Sequence, residues 1–211
     1  MGQELKAAEL AALRDERRNR NTIRRLHHHA VRTDDMEATR HFYEDILGLP
    51  LVVAMRENID RDGEPTPFVH CFFELGDGSF LAFFQFRPEV YGPADKLPRN
   101  AIDHHIAVAV ADFGDLEALK VALESHGHLT AGINHGFCYS LYVRDPNGML
   151  LEFVSDAPNE LVLYERAAGL AHRELASWCK GEQAPGARDR VSVDFPLPTS
   201  PHEDIVKVMR G

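Results

Sequence analysis

The sequence predicts an α+β fold made of two paired βαβββ modules, with helices added at the N- and C-terminal ends. Two pairs of segments repeat along the chain: HHAVRTDDM at 28–36 matches HIAVAVADF at 105–113, and GSFLAFF at 78–84 matches GMLLEFV at 148–154. In each half, the pattern of apolar residues and turn signals gives the order strand, helix, strand, strand, strand. Together these observations indicate an internal duplication of about 70 residues.

The first module follows a charge-rich helix at 3–20, which we assign to an N-terminal extension covering residues 1–23. Its helix starts after Asp34 and Asp35, which can cap it, and stops at Gly48. The tripeptide Gly76-Asp77-Gly78 is a strong hairpin signal between its last two strands. The predicted strands of this module are 25–33, 51–56, 68–75 and 79–86.

The second module repeats the scheme, with a helix capped by Asp112 and ending at Gly127 and a final turn at 145–148. Its predicted strands are 104–110, 129–133, 137–144 and 149–155. The duplicated domain therefore spans 24–156, with modules at about 24–90 and 101–156. The C-terminal region 157–211 is predicted to be a helix at 160–180 followed by an extended tail, because residues 181–211 hold four prolines and little periodicity.

Composition narrows the classes of function. The chain has 211 residues and a net charge of −10, so binding to nucleic acid through bulk charge is not expected. No stretch approaches the roughly 20 apolar residues that cross a bilayer. Three scattered cysteines form neither a disulfide framework nor a thiolate zinc site. We expect a cytoplasmic protein without membrane contact, and a homodimer because of the terminal helices.

Three residues at matched positions of the duplication are candidate metal ligands. Strand alternation places His28 and His105 on the faces opposite their helices, where they become symmetry mates if the modules pair. Glu152 stands in the apolar strand segment LLEFV, where an ionised side chain needs a partner. Its duplicate position, Ala82, carries no donor. Two histidines and one carboxylate leave about three coordination positions open, an arrangement suited to non-haem Fe(II).

Other interpretations of these residues remain open. A histidine on a half-buried strand is often a structural residue with satisfied nitrogens, and a strand glutamate is often exposed or paired with arginine. His27 and His104 lie on the opposite strand faces, and we treat them as structural or supporting residues.

Several segments resemble the vicinal oxygen chelate superfamily, which includes glyoxalases, bleomycin and fosfomycin resistance proteins and type I extradiol dioxygenases. The resemblance rests on LHHHAVRTDDMEATRHFYEDILGLPL, DHHIAVAVADFGDLEALKVALESHG and LYVRDPNGMLLEF, and it covers about residues 24–156. It implies that the two modules together form a cup-shaped mixed sheet around the site.

The site pattern is most similar to that of the extradiol dioxygenases. This resemblance implies that His28, His105 and Glu152 bind the metal, that Tyr142 hydrogen-bonds a metal-bound hydroxyl, and that His70 and His135 are further catalytic residues. A core tyrosine and half-buried strand histidines are the alternatives. The chain departs from the familiar extradiol enzymes because it holds one pair of modules, where they hold two pairs.

We therefore expect a metal-dependent oxidoreductase, an Fe(II) extradiol-type dioxygenase that cleaves a catechol or related vicinal diol with O₂. The substrate is expected to be a small, aromatic molecule, and the cofactor one divalent metal, Fe(II) or else Mn, Ni, Zn or Co. The alternatives are a glyoxalase-like lyase or isomerase that stabilises an enediolate, and a resistance protein that sequesters its ligand.

Overall fold

A computed structural model describes residues 7–20, 22, 25–61, 64–87, 89, 93–94, 104–180 and 195–210. It confirms the α+β fold of two βαβββ modules. The eight strands are β1 His28–Arg32, β2 Leu51–Arg61, β3 Glu64–Glu74, β4 Phe80–Phe86, β5 Ile106–Ala109, β6 Thr130–Asn134, β7 Cys138–Arg144 and β8 Leu150–Asp156. The helices are α1 Ala7–Asn19, α2 Met36–Arg40 with its π-helical continuation His41–Ile46, α3 Phe113–Ser125, α4 Glu160–Cys179 and α5 His202–Arg210.

Each module contributes its own four-stranded mixed sheet, in the order β1-β4-β3-β2 and β5-β8-β7-β6. The first strand of each module runs parallel to the last, and the other neighbours are antiparallel. The two registers match, since Ala30 pairs with Ala82 in the first sheet and their duplicates, Ala107 and Glu152, pair in the second. The strands β1 and β5 lie at sheet edges.

The helices begin where the sequence predicts, because aspartates cap them. The Asp35 side chain accepts a hydrogen bond from the Ala38 amide, and Asp112 accepts one from the Asp115 amide. The first module's helix then widens into a π-helical turn, in which the Leu47 amide bonds to the Phe42 carbonyl.

One hydrophobic core lies between the two modules. Its largest fully buried members come from the helix-packed faces of both sheets and from both module helices; they include Phe42, Tyr43, Phe73, Phe83, Leu116, Leu123, Tyr139, Leu141 and Leu151. Since alternate strand residues point to opposite sides, the other face of each sheet is directed away from this shared core. We call these two surfaces the open faces.

The chain after β8 departs from the prediction. The prediction of an extended tail over the last residues is wrong for 202–210, which form helix α5; residues 181–194 lie outside the described part of the chain. Prolines at 196, 198 and 201 all precede the helix and do not interrupt it. Ile205, Val208 and Met209 provide the helical spacing of apolar residues that packs against β6 and β7.

In the described part of the chain, every helix is too short or too polar to cross a membrane.

Candidate metal centre

A carboxylate and an imidazole meet on the open face of the second sheet. Glu152, in the middle of β8, is 8% exposed, and its Oε2 atom lies 3.0 Å from Nε2 of His105, the residue just before β5. Its Oε1 atom accepts a hydrogen bond of 2.5 Å from the hydroxyl of Ser140 on β7. The buried carboxylate therefore has a nitrogen donor on one side and a hydroxyl on the other.

A tyrosine and a second histidine extend this group along β7. Tyr142 pairs with Glu152 across the sheet, and its hydroxyl lies 3.2 Å from Nε2 of His135. Burial, and then the nearby Glu152 carboxylate, raise the pKa of the Tyr142 phenol. The phenol is therefore protonated at neutral pH and can donate a hydrogen bond.

The structure places His28 and His70 together on the open face of the first sheet. Their ring centroids are 6.5 Å apart, and His28 is 5.7 Å from the ring of Phe72. The His70 ring stacks on Phe84 at 3.6 Å, and its buried Nε2 has no hydrogen-bond partner among the described residues. Burial and the neighbouring His28 lower the pKa of His70, which favours a neutral imidazole.

The neighbours of His28 are also histidines. Nδ1 of His27 lies 2.8 Å from Nδ1 of His28, so one of the two rings carries the shared proton. His29 and His104 approach across the two modules with ring centroids 5.9 Å apart. His27 therefore contacts a candidate ligand directly, whereas His104 contacts His29.

The six predicted site residues thus form two groups within one chain. His105, Glu152, Tyr142 and His135 lie on the second open face, whereas His28 and His70 lie on the first. Among the described residues, no three histidine, cysteine or acidic side chains are close enough to hold one ion. Both sheets bury their helix-packed faces in the shared core, so the open face of each sheet is the one directed away from that core.

The His105–Glu152 pair nevertheless fits a metal. Two donors that each lie about 2.1 Å from one ion, at right angles to each other, are about 3.0 Å apart. The observed separation of 3.0 Å between Nε2 and Oε2 matches this spacing. A neutral imidazole and a carboxylate are donors that Fe(II), Mn(II) and Zn(II) all accept. The pair can supply two adjacent ligands, and a third must come from elsewhere.

Sequence reasoning missed Ser140, which is fully buried and bonded to the carboxylate. Strand alternation could have found it, because Ser140 and Tyr142 are two residues apart on β7 and share a face.

Comparisons with known proteins match the part of the chain that forms the two modules. A family profile described as the glyoxalase/bleomycin resistance protein/dioxygenase superfamily matches residues 25–153. MhqA of Bacillus subtilis (strain 168), a protein assigned as a ring-cleaving dioxygenase, is 26% identical over 127 residues, which are 60% of this chain and 38% of MhqA. The chain thus spans well under half the length of that relative.

Two solved structures illustrate the structural likeness. A glyoxalase/bleomycin resistance protein/dioxygenase domain from Frankia sp. EAN1pec matches with a TM-score of 0.53 at 18% identity, over 64% of this chain and 100% of that one. FosX, a fosfomycin resistance protein from Listeria monocytogenes solved with Mn(II) and sulfate, has a TM-score of 0.47 at 17% identity, over 66% of this chain and 98% of its own. The Frankia domain supports the fold assignment.

Proposed function

The chain belongs to the glyoxalase/bleomycin resistance protein/dioxygenase superfamily, and we propose that it is an Fe(II)-dependent extradiol dioxygenase that cleaves a catechol or related vicinal diol with O₂. One observation carries this proposal. A buried Glu152 carboxylate lies 3.0 Å from the His105 imidazole, and a protonated tyrosine stands on the next strand. This group combines two metal donors with a hydrogen-bond donor for a substrate oxygen.

The proposed ligand set is His28, His105 and Glu152, with Mn, Ni, Zn or Co as the alternatives to iron. Fe(II) held by two histidines and one carboxylate would supply a Lewis-acidic centre with coordination positions left open for a diol and O₂. The duplicate of Glu152 is Ala82, which is fully buried and has no donor atom. A fourth protein ligand at that position, as a glyoxalase-like lyase would use, is therefore missing.

A second copy of the chain would complete the site. The first open face of one chain carries His28 and His70, and the second open face of its partner carries His105 and Glu152. In a dimer, docking of these faces would bring His28 to the ligand pair and leave the shared core intact. We therefore propose a homodimer with two equivalent sites, each containing one face from each chain.

The remaining polar residues have distinct roles in this site. Tyr142 donates a hydrogen bond to a substrate hydroxyl oxygen, and His135 orients the phenol through the 3.2 Å contact. The Nε2 atom of His70 is buried and without a partner among the described residues. A neutral imidazole in that position accepts a proton from a diol hydroxyl and returns it later.

Aromatic residues around His70 support an aromatic substrate. The rings of Phe72 and Phe84 lie 4.2 and 3.6 Å from the His70 ring, and Phe68 lies 5.7 Å from Phe84. These rings give the surroundings of His70 an aromatic, apolar character that suits a catechol ring.

The direct test loads the purified chain with Fe(II) without oxygen and then measures O₂ uptake and ring-opened product with a panel of catechols. We expect O₂ uptake with the wild-type chain and a rate at least about a hundredfold lower in Glu152→Ala. Loss of a residue that merely supports a metal ligand lowers metal affinity or activity by about 10- to 100-fold, and Glu152 is itself a proposed ligand. Glu160→Ala, at the start of α4, is the matched control and should keep the activity.

The result separates the candidate functions. Turnover of a diol or hemithioacetal without O₂ would favour a lyase or isomerase. Tight ligand binding that survives Glu152→Ala, without turnover, would favour a sequestering resistance protein.

A further inference from the structure

The C-terminal segment is anchored to the outer edge of the second sheet. The Ser200 amide donates to the Gly132 carbonyl at 2.8 Å, and the Gly132 amide donates to the Ser200 hydroxyl at 2.8 Å. The Asn134 amide bonds to the Thr199 hydroxyl at 3.0 Å. Thr199 and Ser200 therefore continue the hydrogen bonding of the sheet beyond β6 and fix where α5 begins.

The other end of α5 is fixed on β7. The Arg144 guanidinium donates from Nε to the Val208 carbonyl at 2.8 Å and from Nη2 to the Met209 carbonyl at 2.5 Å. A cation at the C-terminal end of a helix also interacts favourably with the helix dipole. The helix therefore crosses the open face from β6 to β7. Its last turn is bound by Arg144, which follows Tyr142 by two residues in β7.

The side chains of α5 cover this half of the open face. Val208 is 3% exposed and forms one cluster with Ala131, Tyr142 and Leu150, against which Ile205 and Met209 also pack. Tyr142 thus belongs to two groups: its ring to the α5 cluster, and its hydroxyl to the polar group that contains Glu152. The helix consequently borders the candidate metal centre on the side of β7.

We propose that α5 is a wall of the substrate cup and that Met209, in its last turn, limits the size of the apolar ring substituent that the substrate can carry. This inference rests on the proposed function and deepens it. Met209 is chosen because it packs against the cluster that contains Tyr142, and because its carbonyl is held by Arg144, two residues along β7 from Tyr142. A methionine side chain is apolar and adaptable, so it excludes by volume without imposing a polar contact.

The test compares kcat/KM for 3- and 4-propylcatechol with kcat/KM for catechol. In Met209→Ala the ratio should rise by roughly tenfold for at least one propyl isomer, because a pocket discriminates methylene groups by about that factor. Lys207→Ala, on the solvent side of the same helix, is the matched control and should leave both ratios unchanged. Equal ratios in Met209→Ala and the wild type, or an equal rise in Lys207→Ala, would overturn the inference.

A second measurement needs neither metal nor turnover. Nitration by tetranitromethane, mapped by peptide mass spectrometry, should leave Tyr142 unmodified in the full chain and modify it in a chain ending at Ser200. Tyr164, 44% exposed, should react in both chains, and the fully buried Tyr43 in neither. A reactive Tyr142 in the full chain, or an unreactive one in the shortened chain, would contradict the inference.

The two readouts separate the two proposals. If the wild-type chain cleaves no catechol, the proposed function fails, and the nitration pattern still decides whether α5 covers Tyr142. If the shortened chain does not fold, which a reactive Tyr43 would reveal, nitration of Tyr142 in Met209→Ala takes its place, with Lys207→Ala again as the control.

Discussion

Tyr43 and Asp145 connect the two modules at the scale of single residues. The hydroxyl of Tyr43, in the module 1 helix, donates to Oδ2 of Asp145, in the last turn of module 2, at 3.0 Å. Asp145 is 4% exposed and also accepts from the Met149 and Asn147 amides at 2.7 and 2.9 Å. Burial raises the pKa of the Asp145 carboxyl, and these hydrogen bonds act in the opposite direction. The contact therefore satisfies a buried polar group and fixes how the modules pack.

Tyr43→Phe should destabilise the protein by about 1–3 kcal/mol, because it leaves the buried carboxylate short of one donor. Urea denaturation followed by circular dichroism measures the change in the free energy of unfolding. Tyr164→Phe is the control: its hydroxyl bonds to Asp156 at an exposed position and should cost much less. Similar losses in the two variants would show that the Tyr43 hydroxyl has no special role between the modules.

At the scale of elements, Gly132 in β6 allows Tyr139 of β7 to reach the C-terminal segment. A Cβ atom at position 132 would clash with the Tyr139 hydroxyl. That hydroxyl donates to the Pro198 carbonyl at 2.8 Å, and the Tyr139 ring packs against Phe195. The absence of a side chain at Gly132 therefore makes room for the contact that holds the segment before α5.

Gly132→Ala should cost roughly 1–3 kcal/mol of stability, because Tyr139 must move within a packed core. Gly169→Ala is the matched control: this exposed glycine of α4 has no neighbour within 4 Å of an added Cβ. Alanine there should raise stability by up to about 1 kcal/mol, since glycine is unfavourable inside a helix. Equilibrium denaturation of both variants checks the opposite signs, and an unaffected Gly132→Ala would mean that Tyr139 relaxes freely.

Elements with strong local signals could be predicted from the sequence, and those decided by tertiary packing could not. The Asp35 and Asp112 caps and the Gly76-Asp77-Gly78 turn appear where their chemistry predicts. Strands β2 and β3 continue to Arg61 and Glu64, well beyond the predicted 51–56 and 68–75, because they pair with each other past the end of β4. The π-helical turn at 41–46 could not be predicted, because the spacing of apolar residues there does not distinguish it from an ordinary α-helix. Tyr43 in this turn is buried in the core.

Helix α5 was missed although a local signal was present. Ser200, Pro201 and Glu203 form a pattern typical of a helix start, with a hydroxyl residue and a proline directly before the helix and an acid in its first turn. The prolines before position 202 favour an extended chain and oppose this signal. A helix of nine residues is also marginal alone, so its contacts with β6 and Arg144 decide that it forms.

At the scale of the whole molecule, the candidate site depends on how the modules are arranged, which strand patterns do not specify. Alternation places His105 on the face opposite its helix, where it lies 3.0 Å from Glu152, and the repeat relates His28 to His105. Neither tells whether the two open faces meet within one chain. That choice depends on the core between the modules, where side chains such as Phe42 and Leu123 bury the two helix-packed faces together.

The arrangement predicts that two inactive variants restore activity when mixed. In the proposed dimer, His28 of one chain acts with His105 and Glu152 of the other. Mixing His28→Ala with Glu152→Ala chains, after reversible unfolding, produces mixed dimers in which one site has all three ligands and the other lacks two. With random pairing of equal amounts, about a quarter of all sites should be intact.

O₂ uptake with a catechol measures the restored activity, and iron bound per chain after gel filtration measures the restored sites independently. Each variant refolded alone should remain inactive. Mixing His105→Ala with Glu152→Ala is the decisive control, because these two ligands come from the same chain: in every mixed dimer each of the two sites lacks one of them. Restored activity in this control would contradict a site shared between chains, since a partner cannot complement ligands that come from a single chain. A mixture of His28→Ala with Glu152→Ala that restores no activity would contradict it as well.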